Sequence, residues 1–99
     1  MRTLLKVQIP VEAGNRSIQD GTLPKLLGST LEELKAEAAY FYAEDGKRTA
    51  LFVFDMKDAS QIPPIAESFF LGVNADVTFS PVMSADDLKA GIERASKKF

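Results

Sequence analysis

The segment Ala38–Asp55, AAYFYAEDGKRTALFVFD, constrains the fold more than any other stretch of the chain. It reads as two strands joined at Asp45-Gly46, a dipeptide suited to the positive φ angles of a two-residue hairpin turn. With those two residues as the loop, Glu44 pairs with Lys47, Tyr42 with Thr49 and Tyr40 with Leu51. One face of the hairpin then carries Ala39, Phe41, Ala43, Arg48, Ala50 and Phe52, with Phe54 beyond. The other carries Tyr40, Tyr42, Thr49, Leu51 and Val53. Both faces are largely apolar, whereas an antiparallel sheet covered by helices on one side shows a polar second face. Something must cover that second face, and another copy of the chain is the economical candidate.

The remaining elements follow from periodicity. Thr3–Ile9 alternates as a strand: Thr3, Leu5, Val7 and Ile9 share one face, and Leu4, Lys6 and Gln8 the other. Val11–Glu37 reads as helix broken near Gly21. Thr22 is the expected cap of its second part, with Pro24 in the first turn. Leu23, Leu26, Leu27, Leu31 and Leu34 then form a stripe at helical spacing, and Gly28 is a place for close packing. A third helix is expected after Lys57–Pro64, capped by Ser60 and stopped by Gly72, with Ile62, Ile65, Ala66, Phe69 and Phe70 as its buried stripe. Ala75–Pro81 alternates as a short edge strand, which Pro81 suits. Ser84 caps a last helix whose apolar stripe is Leu88, Ile92, Ala95 and Phe99. Asp86 and Asp87 sit at its positive end, and Arg94, Lys97 and Lys98 at its negative end.

Ninety-nine residues make a single domain, residues 1–99. The order β-α-β-β-α-β plus a terminal helix is the split arrangement called ferredoxin-like, an α+β fold with a four-stranded antiparallel sheet. Right-handed crossovers put both main helices on one face. We assign Phe41, Phe52 and Phe54 to that helix side. The other face then holds Leu4, Lys6, Gln8, Tyr40, Tyr42, Thr49, Leu51 and Val53, with Asp76, Thr78 and Ser80 on the edge. Leu4, Tyr40, Tyr42, Leu51 and Val53 are the expected dimer contacts. The competing expectation is that the last helix folds across this face within one chain.

This arrangement resembles the dimeric α/β-barrel superfamily, whose members pair two ferredoxin-like sheets face to face. The segment Ser68–Gly91, SFFLGVNADVTFSPVMSADDLKAG, is similar to the C-terminal half of small uncharacterised bacterial proteins in that superfamily. The resemblance implies a homodimer. Its members range from cofactor-free monooxygenases and lactone isomerases to haem enzymes and proteins without known activity, so it implies no one reaction.

Composition narrows the chemistry. The chain has no Cys and no His. Disulfides, thiolate nucleophiles, imidazole catalysis, Cys/His zinc sites and His- or Cys-ligated haem are therefore excluded. No cofactor is expected. The N-terminal MRTLLKVQIP is too short and too polar for a signal or membrane segment, so a cytoplasmic location without a membrane partner is expected. A net charge of −2 does not favour nucleic acid. Recognition sheets of this topology that bind RNA carry K/R-G-F/Y-G/A-F-V-x-F/Y on the third strand. Here Arg48–Asp55 reads RTALFVFD and lacks the stacking residues, so RNA binding is rejected.

Lys6, Gln8, Tyr40, Tyr42 and Thr49 form the candidate ligand group, fit for a small organic molecule bearing oxygen atoms. A Tyr hydroxyl near a Lys can also move a proton. Glu12, Asn15 and Arg16 follow the first strand, where loops of this fold border pockets. Asp55, Lys57 and Asp58 have mixed signs and read as a turn decoration, not a metal site. Three function classes survive: a homodimer that binds a small molecule, a cofactor-independent monooxygenase or isomerase, and a purely structural or protein-interaction module.

Overall fold

Asp45 and Gly46 adopt φ angles of 54° and 74°, the left-handed pair that a two-residue hairpin demands. The computed structural model describes all 99 residues. Its elements are β1 (Arg2–Ile9), α1 (Val11–Gln19), α2 (Thr22–Leu34), β2 (Ala38–Glu44), β3 (Lys47–Asp55), α3 (Ile62–Val73), β4 (Asp76–Pro81) and α4 (Ala85–Ser96). A short 3-10 turn at Ala59–Gln61 leads into α3. The protein is α+β, with one open four-stranded antiparallel sheet in the order β2-β3-β1-β4. No helix is long and apolar enough to cross a membrane.

The hairpin register is the one the turn dictates: Glu44 opposite Lys47, Tyr42 opposite Thr49, Tyr40 opposite Leu51. β1 aligns its apolar side with that of β3, placing Leu5 opposite Phe52 and Val7 opposite Ala50. Leu5, Val7, Ile9, Ala50, Phe52 and Phe54 are buried against Leu23 and Leu34 of α2 and Phe69 and Val73 of α3. The Phe52 and Phe69 rings lie 6.5 Å apart at the centre of this core. The assignment of Phe52 and Phe54 to the helix side thus holds. Phe41 shares that side and meets Phe52 edge-on at 5.9 Å, yet it remains 53% exposed. β2 is the sheet edge, and the helices cover β1 and β3 ahead of it.

Several local expectations are corrected. Thr22 does not cap α2; its backbone N–H and its hydroxyl both donate to Asp20 Oδ1, at 2.9 and 2.6 Å. Ser60 does not cap the third helix either. Asp58 accepts the Ser60 N–H at 2.8 Å, and Gln61 reaches back to the Asp58 N–H. An Asp carboxylate accepts more readily than a hydroxyl that must also place its own proton. Gly72 lies inside α3, and Asn74, at φ 53°, ends it. Gly28 is exposed with open space around it. The close approach occurs at Gly14, where a Cβ would fall 2.5 Å from Arg48 Nη1. Leu31 and Phe70, both predicted to be buried, are exposed.

Ser84 caps α4 as predicted, accepting from the Asp87 N–H at 3.1 Å while Asp87 accepts from the Ser84 N–H at 3.0 Å. What the helix does next was not legible in the sequence. Every residue of α4 is exposed, including Leu88 and Ile92. It does not fold across the sheet. The radius of gyration is 15.9 Å, against about 13 Å for a compact domain of this length. The principal extents of 55 × 28 × 19 Å show the same elongation.

Candidate functional site

The register brings the candidate residues together on the open face in three rows across the sheet. Ser80, Leu4, Val53 and Ala38 form the first row, and Thr78, Lys6, Leu51 and Tyr40 the second. The third is Asp76, Gln8, Thr49 and Tyr42. Polarity therefore rises along the strands, from an apolar row through a mixed one to a polar one. All five predicted ligand residues fall in the adjacent mixed and polar rows. Leu4, Leu51 and Val53, predicted as interface residues, lie in the middle of the face and are half-buried by their neighbours alone.

Glu44, which sequence reasoning had only paired with Lys47, organises the polar end. Its Oε2 lies 2.5 Å from Lys6 Nζ, and its Oε1 accepts the Tyr42 hydroxyl at 2.8 Å. Gln8 Nε2 donates to the Glu44 backbone oxygen at 3.2 Å. Thr49 is buried between them and donates to Lys47 O at 3.2 Å. The signal for Glu44 was its position two residues beyond Tyr42 on the same strand face. Its reach to Lys6 depended on a β1–β3 register that the sequence does not state. Tyr40 stands apart, 65% exposed, and its hydroxyl makes no hydrogen bond.

The electrostatics of this cluster hold each group in its neutral-pH form. Hydrogen bonding to Glu44 raises the Lys6 ammonium above its ordinary value. The same carboxylate raises the Tyr42 phenol. Lys6 first, then Tyr42, lower Glu44. Ammonium, phenol and carboxylate are mutually reinforcing, and a phenol shifted upward is a poorer proton carrier near neutrality. The arrangement binds and orients better than it relays protons. Beside it, Lys6, Gln8, Asp76 and Thr78 line a shallow hollow of about 190 Å³ at the β4 edge.

The other candidate groups are dispersed. Of Glu12, Asn15 and Arg16, Asn15 engages the sheet, accepting from Arg48 Nη2 at 3.0 Å; Glu12 and Arg16 are exposed. Asp55 takes the ammonium of Lys57 and the amino terminus, which lower its carboxyl to about 2. Asp58 is occupied as the cap described above.

A second cavity lies on the helix side. It has a volume of about 370 Å³ and opens between α2 and the uncovered β2 edge. Its walls are mainly apolar, built from Ile9, Leu23, Leu27, Phe41, Ala43 and Ala50, with Tyr42 and Thr49 also in the lining and Arg48 as its charged residue.

Comparison of the chain with protein-family models, with curated proteins and with solved structures gives no match.

Proposed function

We propose that the chain is a ferredoxin-like protein that pairs with a second copy through the open sheet faces, as dimeric α/β-barrel proteins do. The pair holds a small oxygen-bearing organic molecule at the polar end of the seam. The observation that carries this reading is the uncovered central patch of Leu4, Leu51 and Val53, flanked by the Tyr40 ring. No element of the same chain lies over it. Burying a side chain of this kind contributes up to about 1.5–3 kcal/mol, a large share of a domain stability of about 5–15 kcal/mol.

The strand order β2-β3-β1-β4 supports the fold name. Size supports a role for α4 in the pairing. Strands about 4.8 Å apart and on average about 25 Å long give the sheet a face of only about 500 Å². A standard interface takes about 800 Å² from each partner. The exposed stripe of α4, Leu88 and Ile92 with Ala95, adds apolar area at the end of the molecule where a face-to-face partner would meet it. Lys6, Gln8 and Tyr42 supply donors and acceptors for the oxygen atoms of a ligand, over a buried Thr49.

A purely structural dimer is the second reading. It is favoured by one observation: Glu44 already satisfies Lys6 and Tyr42, so the polar end needs no ligand. An oxygenase or isomerase receives less support, because no group in the cluster is shifted toward neutrality.

Light scattering at micromolar concentration tests the dimer. The expected mass is twice the 10.8 kDa of the chain. Leu51→Lys places a second cation directly beside Lys6 in an apolar seam and is expected to give the monomer mass. A monomeric native chain, or a dimeric Leu51→Lys variant of unchanged stability, would remove the sheet-to-sheet reading.

A further inference from the structure

The helix-side cavity carries an inference independent of the dimer, since it lies on the opposite face of the sheet. We propose that it binds a small monocarboxylate with a compact apolar body, the carboxylate resting on Arg48. The apolar part has its place between Leu23 and Leu27 of α2 and Phe41 and Ala43 of β2, in a volume of about 370 Å³. That lies within the range of about 300–1,000 Å³ typical of small-molecule sites, which combine apolar walls with a few placed polar groups.

Arg48 is the placed group, and its charge is uncompensated. It forms no ion pair. Nη1 donates to Val11 O at 3.4 Å and Nη2 to Asn15 Oδ1 at 3.0 Å. A guanidinium has five N–H donors in a fork that matches a carboxylate, so three remain free. Both protein partners are neutral, so they fix the side chain without cancelling its charge. Helix stability does not explain the placement. Arg48 sits beside the first turn of α1, which has no side-chain cap, and a helix start is the positive end of the dipole. A cation there adds to a positive potential that an anion would relieve. Gly14 is what admits it, since a Cβ at that position would collide with Nη1. Backbone clearance, two neutral anchors and an apolar chamber thus converge on one free guanidinium. A neutral apolar ligand would leave it unused, and a dicarboxylate would place its second charge against apolar walls.

Isothermal titration of the full chain with 3-phenylpropanoate, and with 3-phenylpropan-1-ol as its uncharged counterpart, tests the assignment. Binding of the acid is expected, with the alcohol at least about tenfold weaker, the size of a charge-assisted hydrogen bond. Arg48→Gln is expected to weaken the acid by about tenfold or more and to leave the alcohol unchanged. Ala43→Trp, on the exposed edge strand, is expected to abolish binding of both by filling the chamber. Amide shifts on titration should fall at Leu23, Leu27 and Phe41. The proposal is overturned if the acid gives no heat at millimolar concentration, if acid and alcohol bind alike, or if Arg48→Gln binds the acid like wild type. Shifts confined to Lys6, Gln8 and Tyr40 would also overturn it, placing the ligand on the open face.

Discussion

Lys6 Nζ lies 2.5 Å from Glu44 Oε2 although β3 runs between the strands that carry them. The backbones are two strand spacings apart, about 10 Å, and offset by four residues along the strands, so both side chains reach diagonally over β3 to meet. The pair ties the β2 edge to the sheet centre on the face that has no helix. Glu44→Gln should therefore lower stability at neutral pH and change its pH dependence. The Glu44 carboxyl is lowered from 4.5 in the folded chain. Its contribution is full above that value and is lost as pH falls through the lower folded value. Lys6 is raised from 10.5, so its contribution is full below that value and is lost as pH rises past the higher folded one. Urea midpoints of wild type and variant should differ most at neutral pH and converge at both extremes. A gap that stays constant across the range would show that the pair does not act through charge.

Phe52 and Phe41 touch, but they should respond very differently to truncation. Phe52 is fully buried between Phe41 and Phe69. Phe52→Ala is expected to cost about 3–5 kcal/mol, enough to leave the domain marginal. Phe41 is half in water, so Phe41→Ala should cost about 1 kcal/mol, mainly the edge-on contact. Chemical denaturation of both variants checks the ratio. Equal costs would mean that another surface covers Phe41.

The contrast between those two rings shows what the sequence makes legible. Alternation and the Asp45-Gly46 turn specify which side chains share a face, because a one-residue slip would invert every one of them. The sharing of faces within each strand and within the hairpin, including the Phe52–Phe54 side, is legible for that reason, whereas the rows that align β1 with β3 and β4 are not. How far each helix reaches across the sheet depends on packing between distant segments, so the exposure of Phe41, and with it the helix-side cavity, could not be. Caps were misread where two good acceptors stood close together, Asp20 before Thr22 and Asp58 before Ser60. Glu44 was overlooked because its partner lies two strands away.

Gly14→Ala separates helix propensity from the seat of Arg48. Alanine favours the α1 interior by about 1 kcal/mol. Against this, its Cβ would displace the Arg48 guanidinium and its bonds to Val11 and Asn15. The displaced group is the far end of a flexible side chain, so the two effects should nearly cancel and stability should stay within about 1 kcal/mol of wild type. The Arg48 Nε–H resonance should move even so. A large stability loss would show that Arg48 is rigidly held and that the anchors matter more than the helix.

The unpartnered stripe of α4 gives the sharpest test of assembly. Leu88 and Ile92 are 47% and 57% exposed in the single chain. Each is about half covered there, so replacing both with Ser costs the single chain about 1–2 kcal/mol in lost burial and helix propensity. If α4 lies against a second copy, the same change removes two side chains of each protomer from the interface, each worth up to about 1.5–3 kcal/mol. The dimer dissociation constant should then rise by at least about tenfold, while the monomer's denaturation midpoint falls only modestly. Sedimentation over a range of concentrations reads the first quantity, and denaturation at high dilution the second. An unchanged dissociation constant would place α4 outside the interface and leave the sheet faces to pair alone, over an area well below that of a standard interface.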